Sequence, residues 1–87
     1  NYAAWKVQML DILTDIGLDD HVDATFTVPT TATELTAWNK ADRRALSAIR
    51  LRVAPDVVQH IQGETNALSA WEMLSHLFEL KGQMGIV

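Results

Sequence analysis

Three groups of side chains in this sequence have the types and spacing from which chemistry is made. Glu72, His76 and Glu79 recur at helical intervals on one face, a donor set able to ligate a divalent metal. The same spacing is common on solvated helix faces, where Glu and His meet only water. Asp42 is a carboxylate placed between Trp38 and Ile49 on the apolar side of a predicted helix, where a general acid or base would be shielded from water. Such work needs a second carboxylate, a histidine or a metal ligand on the same side, and the spacing supplies no evident one. The structural alternative has Asp42 accept hydrogen bonds from a tryptophan indole N–H or a backbone amide, so that it sets the register of two helices. Lys40, Arg43, Arg44 and Arg50 gather on the outer face of the same helix and could touch RNA phosphates or an acidic neighbour. No aromatic side chain interleaves with these cations to stack bases, so a solvated face is the plainer account.

Composition narrows the field further. The 87 residues contain no cysteine, which excludes disulfide staples, cysteine-ligated zinc and thiol catalysis within this chain. No phosphate-cradling glycine loop, Ser/His/Asp order or His-Glu-x-x-His motif occurs, so no catalytic, cofactor-binding or metal residue is assigned and no enzymatic activity is expected. The net charge of −4 is opposite in sign to that of a module gripping nucleic acid through its phosphates. The longest uncharged stretch, Ala24 to Thr33, is too short to span a bilayer, and no membrane partner is expected.

The elements that must position these groups are helical. Tyr2, Trp5, Met9, Ile12, Leu13 and Ile16 fall on one stripe at 3.6 residues per turn, with Asn1 to cap the start and Gly17 to stop the end. Leu18 to Val22 reads as a short turn returning two apolar side chains to the core, and Asp23 to Thr33 as a loop. Thr33 before Glu34 offers the next helix start, continued by Leu35, Trp38, Ala45, Ile49 and Val53. Pro55 suits the first position of a short third helix, and Asn66 caps a fourth with Ala67, Ala70, Trp71, Leu74, Leu77 and Phe78 on its core face. The expected fold is all-α: a compact bundle of four main helices at about residues 2–17, 34–53, 55–62 and 67–81. One domain covers residues 1–81, and residues 82–87 read as the start of a truncated following segment.

Trp5, Trp38 and Trp71 each sit on the stripe of a different helix and are expected to meet at the centre of the core. The first helix also carries a second apolar row, Ala3, Val7, Leu10 and Thr14, roughly opposite the tryptophan stripe. Either that helix is buried on both sides or the row meets another copy. Met73 and Leu80 widen the apolar face of the last helix and, with Met84, Ile86 and Val87, form a second candidate interface.

Three segments carry a resemblance to a known family. Asn1-Tyr2 with Trp5, Met9 and Leu13 is similar to an opening Asn-Tyr-x-x-Trp signature; Trp38, Asp42, Ala45 and Ile49 to a central Trp-x-x-x-Asp-x-x-Ala helix; Asn66-Ala67 with Trp71 and Leu74 to a Thr-Ala-x-x-x-Trp-x-x-Leu segment. Together they resemble the Gag polypeptide of copia-type long-terminal-repeat retrotransposons, over Asn1 to about Phe78. Asp19-Asp20 replaces an aromatic that many members carry after the leucine matching Leu18, and Asn66 and Ser69 stand where Thr and Glu would make a capping box. The resemblance implies the amino-terminal lobe of a capsid, a structural protein that associates with itself in an intracellular particle. It implies a second lobe outside this chain and RNA as an indirect or weak partner. A host-adopted interaction module binding a peptide or partner helix in a groove is the alternative, and a stand-alone nucleic-acid binder a third class, which predicts steeply salt-dependent affinity.

Overall fold

The computed structural model describes residues 1–80, Leu80 through its helical backbone only. The expected segment 82–87, with Met84, Ile86 and Val87, lies outside the described residues, as does the side chain of Leu80. The described residues form four helices, α1 (Tyr2–Asp15), α2 (Ala32–Arg50), α3 (Pro55–Ile61) and α4 (Ala67–Leu80), with a 3₁₀ turn at Asp19–Val22. Among the described residues there is no strand, and the fold is an all-α bundle.

Local chemistry explains most of the boundaries. Asn1 Oδ1 accepts from the Ala4 amide at 2.9 Å, satisfying one of the donors that α1 leaves open. At the other end the Gly17 amide donates to the Thr14 carbonyl and the Leu18 amide to the Leu13 carbonyl at 2.7 Å, the paired bonds of a Schellman motif. Gly17 adopts φ 75°, in the left-handed region that other L-residues occupy at a cost, while a Cβ there would meet nothing within 4 Å. Gly17→Ala is therefore expected to cost about 1 kcal/mol from backbone strain alone, read as a fall in the urea midpoint with unchanged slope. A larger loss would mean that the turn also packs.

Two expectations about α2 are corrected. It starts at Ala32 behind Thr31 rather than at residue 34 behind Thr33; the Thr31 hydroxyl caps no helix amide but donates to Glu34 Oε1 at 2.7 Å across the first turn. It ends at Arg50 rather than running to residue 53. The indole N–H of Trp5 donates to the Arg52 carbonyl at 2.8 Å, and Ala54 is extended ahead of Pro55, so the chain leaves the helix early. Leu51 is thrown outward, 79% exposed.

The core joins all four helices. Met9, Leu13, Ile49, Ile61 and Leu74 are fully enclosed, each contributing about 1.5–3 kcal/mol relative to an exposed side chain. α4 is the hub: it packs on α2, on α3 and on the 3₁₀ turn, and long side chains tie it to α1. Tyr2 stacks on Phe78 with ring centroids 5.2 Å apart and hydrogen-bonds Ser75 at 2.8 Å, while Trp5 lies 5.9 Å from Trp71. Lys6 reaches Glu79 at 3.4 Å. Ile16, expected on the core stripe, is instead exposed, since α1 has already ended at Asp15.

Candidate functional site

Trp38 does not join the other two tryptophans, which corrects the expectation of a three-tryptophan centre. Trp5 and Trp71 are neighbours on the α1–α4 side. Trp38 sits half-buried on α2 with His21 against its ring at 3.8 Å and Phe26, from the loop after the 3₁₀ turn, parallel to it at 5.3 Å. The positions are set by chain geometry: the Schellman turn at Gly17 sends residues 18–22 back across the bundle, with Leu18 and Val22 buried and His21 between them 5% exposed.

His21 also reaches Asp42. Nδ1 of the imidazole lies 2.9 Å from Asp42 Oδ1 and donates to it, while the Ala67 amide donates to Asp42 Oδ2 at 3.2 Å. The backbone-amide partner expected for Asp42 is therefore present; the indole partner is not, and its place is taken by a histidine that sequence spacing did not bring to this side. No local pattern could have found it, because the two residues lie 21 positions apart, with turn, loop and half of α2 between them. The carboxylate also stands at the first residue of α4, where an anion is favoured by the helix dipole. Asn66 completes that helix start: its Oδ1 accepts from the Ser69 amide at 2.8 Å, and the Ser69 hydroxyl donates to the Asn66 carbonyl at 3.0 Å.

A histidine oriented by a carboxylate is half of a general-base arrangement, which needs a hydroxyl or thiol on the other ring nitrogen. Among the described residues no side chain makes that bond. Both Asp42 oxygens are already engaged, one on the turn and one on α4, so the pair works as a clamp between α2, the turn and α4.

Beside the clamp runs a cleft of about 610 Å³ whose walls include Phe26, Val28, Trp38, Arg43 and Leu68. Asp23 stands at its edge and accepts from both the hydroxyl of Thr25, at 2.6 Å, and its backbone amide, at 2.9 Å. These two bonds, the hydroxyl's first, hold the Asp23 carboxyl below the usual Asp value.

The basic face is smaller than expected. Lys40, Arg43 and Arg44 are exposed on α2, but Arg50 is drawn inward. Its guanidinium donates to the carbonyls of Gln62 and Glu64, at 3.3 and 3.4 Å, where it meets the carbonyl end of α3. Glu72, His76 and Glu79 do not form a metal site: among the described residues no group of three such side chains is close enough to hold an ion.

The second row on α1 faces outward. Val7 is 62% and Leu10 42% exposed, Ala3 and Thr14 are also exposed, and the Thr14 hydroxyl is turned back onto the Leu10 carbonyl. Among the described residues, then, α1 is not buried on both sides within the domain. Met73 on α4 is half-buried. No helix among the described residues is long and apolar enough to cross a membrane.

Comparison with known proteins gives two matches and one blank. A family described as the gag-polypeptide of LTR copia-type matches residues 9–86. The Retrovirus-related Pol polyprotein from transposon TNT 1-94 of Nicotiana tabacum is 35% identical over 80 residues, 92% of this chain. The chain spans only 6% of the length of that relative. No solved structure matches.

Proposed function

The chain belongs to the Gag polypeptides of copia-type LTR retrotransposons, and from that premise we propose that it is a capsid lobe whose work is self-association in an intracellular particle that packages RNA. In this reading the domain is structural rather than catalytic. Its partners are further copies of itself and a second capsid lobe carried elsewhere on the polyprotein.

The observation that carries the proposal is the exposed apolar row of α1. A lone exposed leucine needs no explanation, but Ala3, Val7 and Leu10 lie together on the face of α1 turned away from the core, and a clustered apolar face on a helix is a mark of contact surfaces. Met73 on α4 offers a second, less exposed flank. RNA enters through exposed cations such as Lys40, Arg43 and Arg44, a contact that must work against the net charge of −4.

Sedimentation equilibrium from micromolar to millimolar concentration tests this. The parent is expected to associate, and Val7→Glu/Leu10→Glu to remain at the monomer mass of 9.7 kDa. Both positions are exposed, so circular dichroism should show the variant as folded as the parent, with stability changed by about 0.5 kcal/mol or less. A parent that stays monomeric throughout removes self-association through this lobe. It would favour instead an adopted interaction module using the cleft beside Trp38.

A further inference from the structure

The α1 row needs a surface to meet, and the molecule carries one of matching chemistry on another side. Leu51, 79% exposed where α2 breaks off, and Ile16, 42% exposed past the end of α1, flank a shallow hollow of about 350 Å³ floored by Ala48. Three arginines rim it: Arg43, Arg44 and Arg52. Among the described residues none of the three is ion-paired with a carboxylate. The α1 row is apolar in the same way but bordered by acid, with Asp11 and then Asp15 on the flank next to Val7 and Leu10, and these two are likewise without an ion-pair partner.

The two patches point in different directions. Ile16 follows the end of α1 and lines the hollow with Leu51 of α2, whereas Val7 and Leu10 project from the middle of α1 away from the core, so neither patch can satisfy the other within one copy. We propose that they satisfy each other between copies: Val7 and Leu10 of one protomer seat in the Leu51–Ile16 hollow of the next, with Asp11 and Asp15 facing Arg43 and Arg44. This rests on the self-association reading above and names the surface that receives α1. The hollow, at about 350 Å³, has room for both aliphatic side chains. The charges are opposite across the contact, whereas a symmetric pairing of α1 with α1 would set Asp11 and Asp15 among their own kind. Such a head-to-tail contact leaves each end of a pair with one unfilled patch, so it propagates into a ring or an open filament rather than closing as a dimer.

Two variants, each blocked on one side, decide it. Val7→Glu/Leu10→Glu removes the inserting face, and Arg44→Glu/Leu51→Glu removes the receiving one; all four positions are exposed, and circular dichroism checks that both variants fold. Each alone is expected to stay monomeric in sedimentation. Mixed in equal amounts they retain one good face of each kind and should form a one-to-one pair of twice the monomer mass that grows no further. If Arg44→Glu/Leu51→Glu alone associates as the parent does, the hollow is not the receiving surface, and self-association through α1 stands without it. If the two monomeric variants fail to pair on mixing, the head-to-tail contact is overturned. A parent that never associates overturns both readings together.

Discussion

Asp42→Ala lowers the stability of the domain by about 3–4 kcal/mol. Removal of the carboxylate strands two buried donors at once, His21 Nδ1–H and the Ala67 amide, and each unsatisfied donor costs about 1–3 kcal/mol. It also removes the anion at the start of α4. Urea unfolding followed by far-ultraviolet circular dichroism measures the loss. For a domain of this size such a change is a large share of the total, so the variant is expected to be substantially unfolded at 37 °C. Asp42→Asn keeps the shape and one acceptor, and about half of the loss should be recovered. Equal stability of Asp42→Ala and the parent would mean that the clamp does not hold the fold, and would return Asp42 and His21 to consideration as a site.

The second large effect is a contrast. Trp71→Ala should cost about 3–5 kcal/mol, the range for emptying a large buried aromatic site, because Trp71 is 7% exposed and neighbours Trp5 inside the α1–α4 contact. Trp38→Ala should cost about 1–2 kcal/mol, since Trp38 is half-buried and covers the clamp from outside. Parallel denaturation curves of the two variants settle the comparison. Equal losses would place Trp38 in the shared core after all.

The difference between those two tryptophans marks where sequence stops being sufficient. Helical periodicity put both on apolar stripes, and at that level they are equivalent. What separates them is the path of residues 18–31, which brings Phe26 and His21 rather than a helix against Trp38. Arg50 shows the same limit: by spacing it belongs with Lys40, Arg43 and Arg44, yet the carbonyls of Gln62 and Glu64 take it out of the outer face.

Features that depend on a few neighbouring residues could be read directly. Asn1 and Asn66 cap the helices they were expected to cap, Gly17 ends α1 with the positive φ its type allows, and Pro55 opens α3. Each is governed by hydrogen bonds or sterics within four or five residues, so the information is local. The all-α class followed from the same periodicity, and the family from the resemblance of three separately anchored segments.

The early end of α2 was only half signed, by Pro55, which bars helix at Ala54 but not at Leu51 to Val53. The rest comes from the Trp5 indole meeting the Arg52 carbonyl, 47 residues apart in sequence, and the early end leaves exposed the Leu51 on which the receiving hollow depends. By itself, then, the sequence determined which segments are helices, where α1 and α4 are capped and which face of each helix is apolar. Only the tertiary structure decided which apolar face stays uncovered, which buried carboxylate finds which partner and which cations remain free on the surface. Those outcomes turn on contacts closed across long loops, where the geometry of the whole bundle selects the partner and short-range propensity has no say.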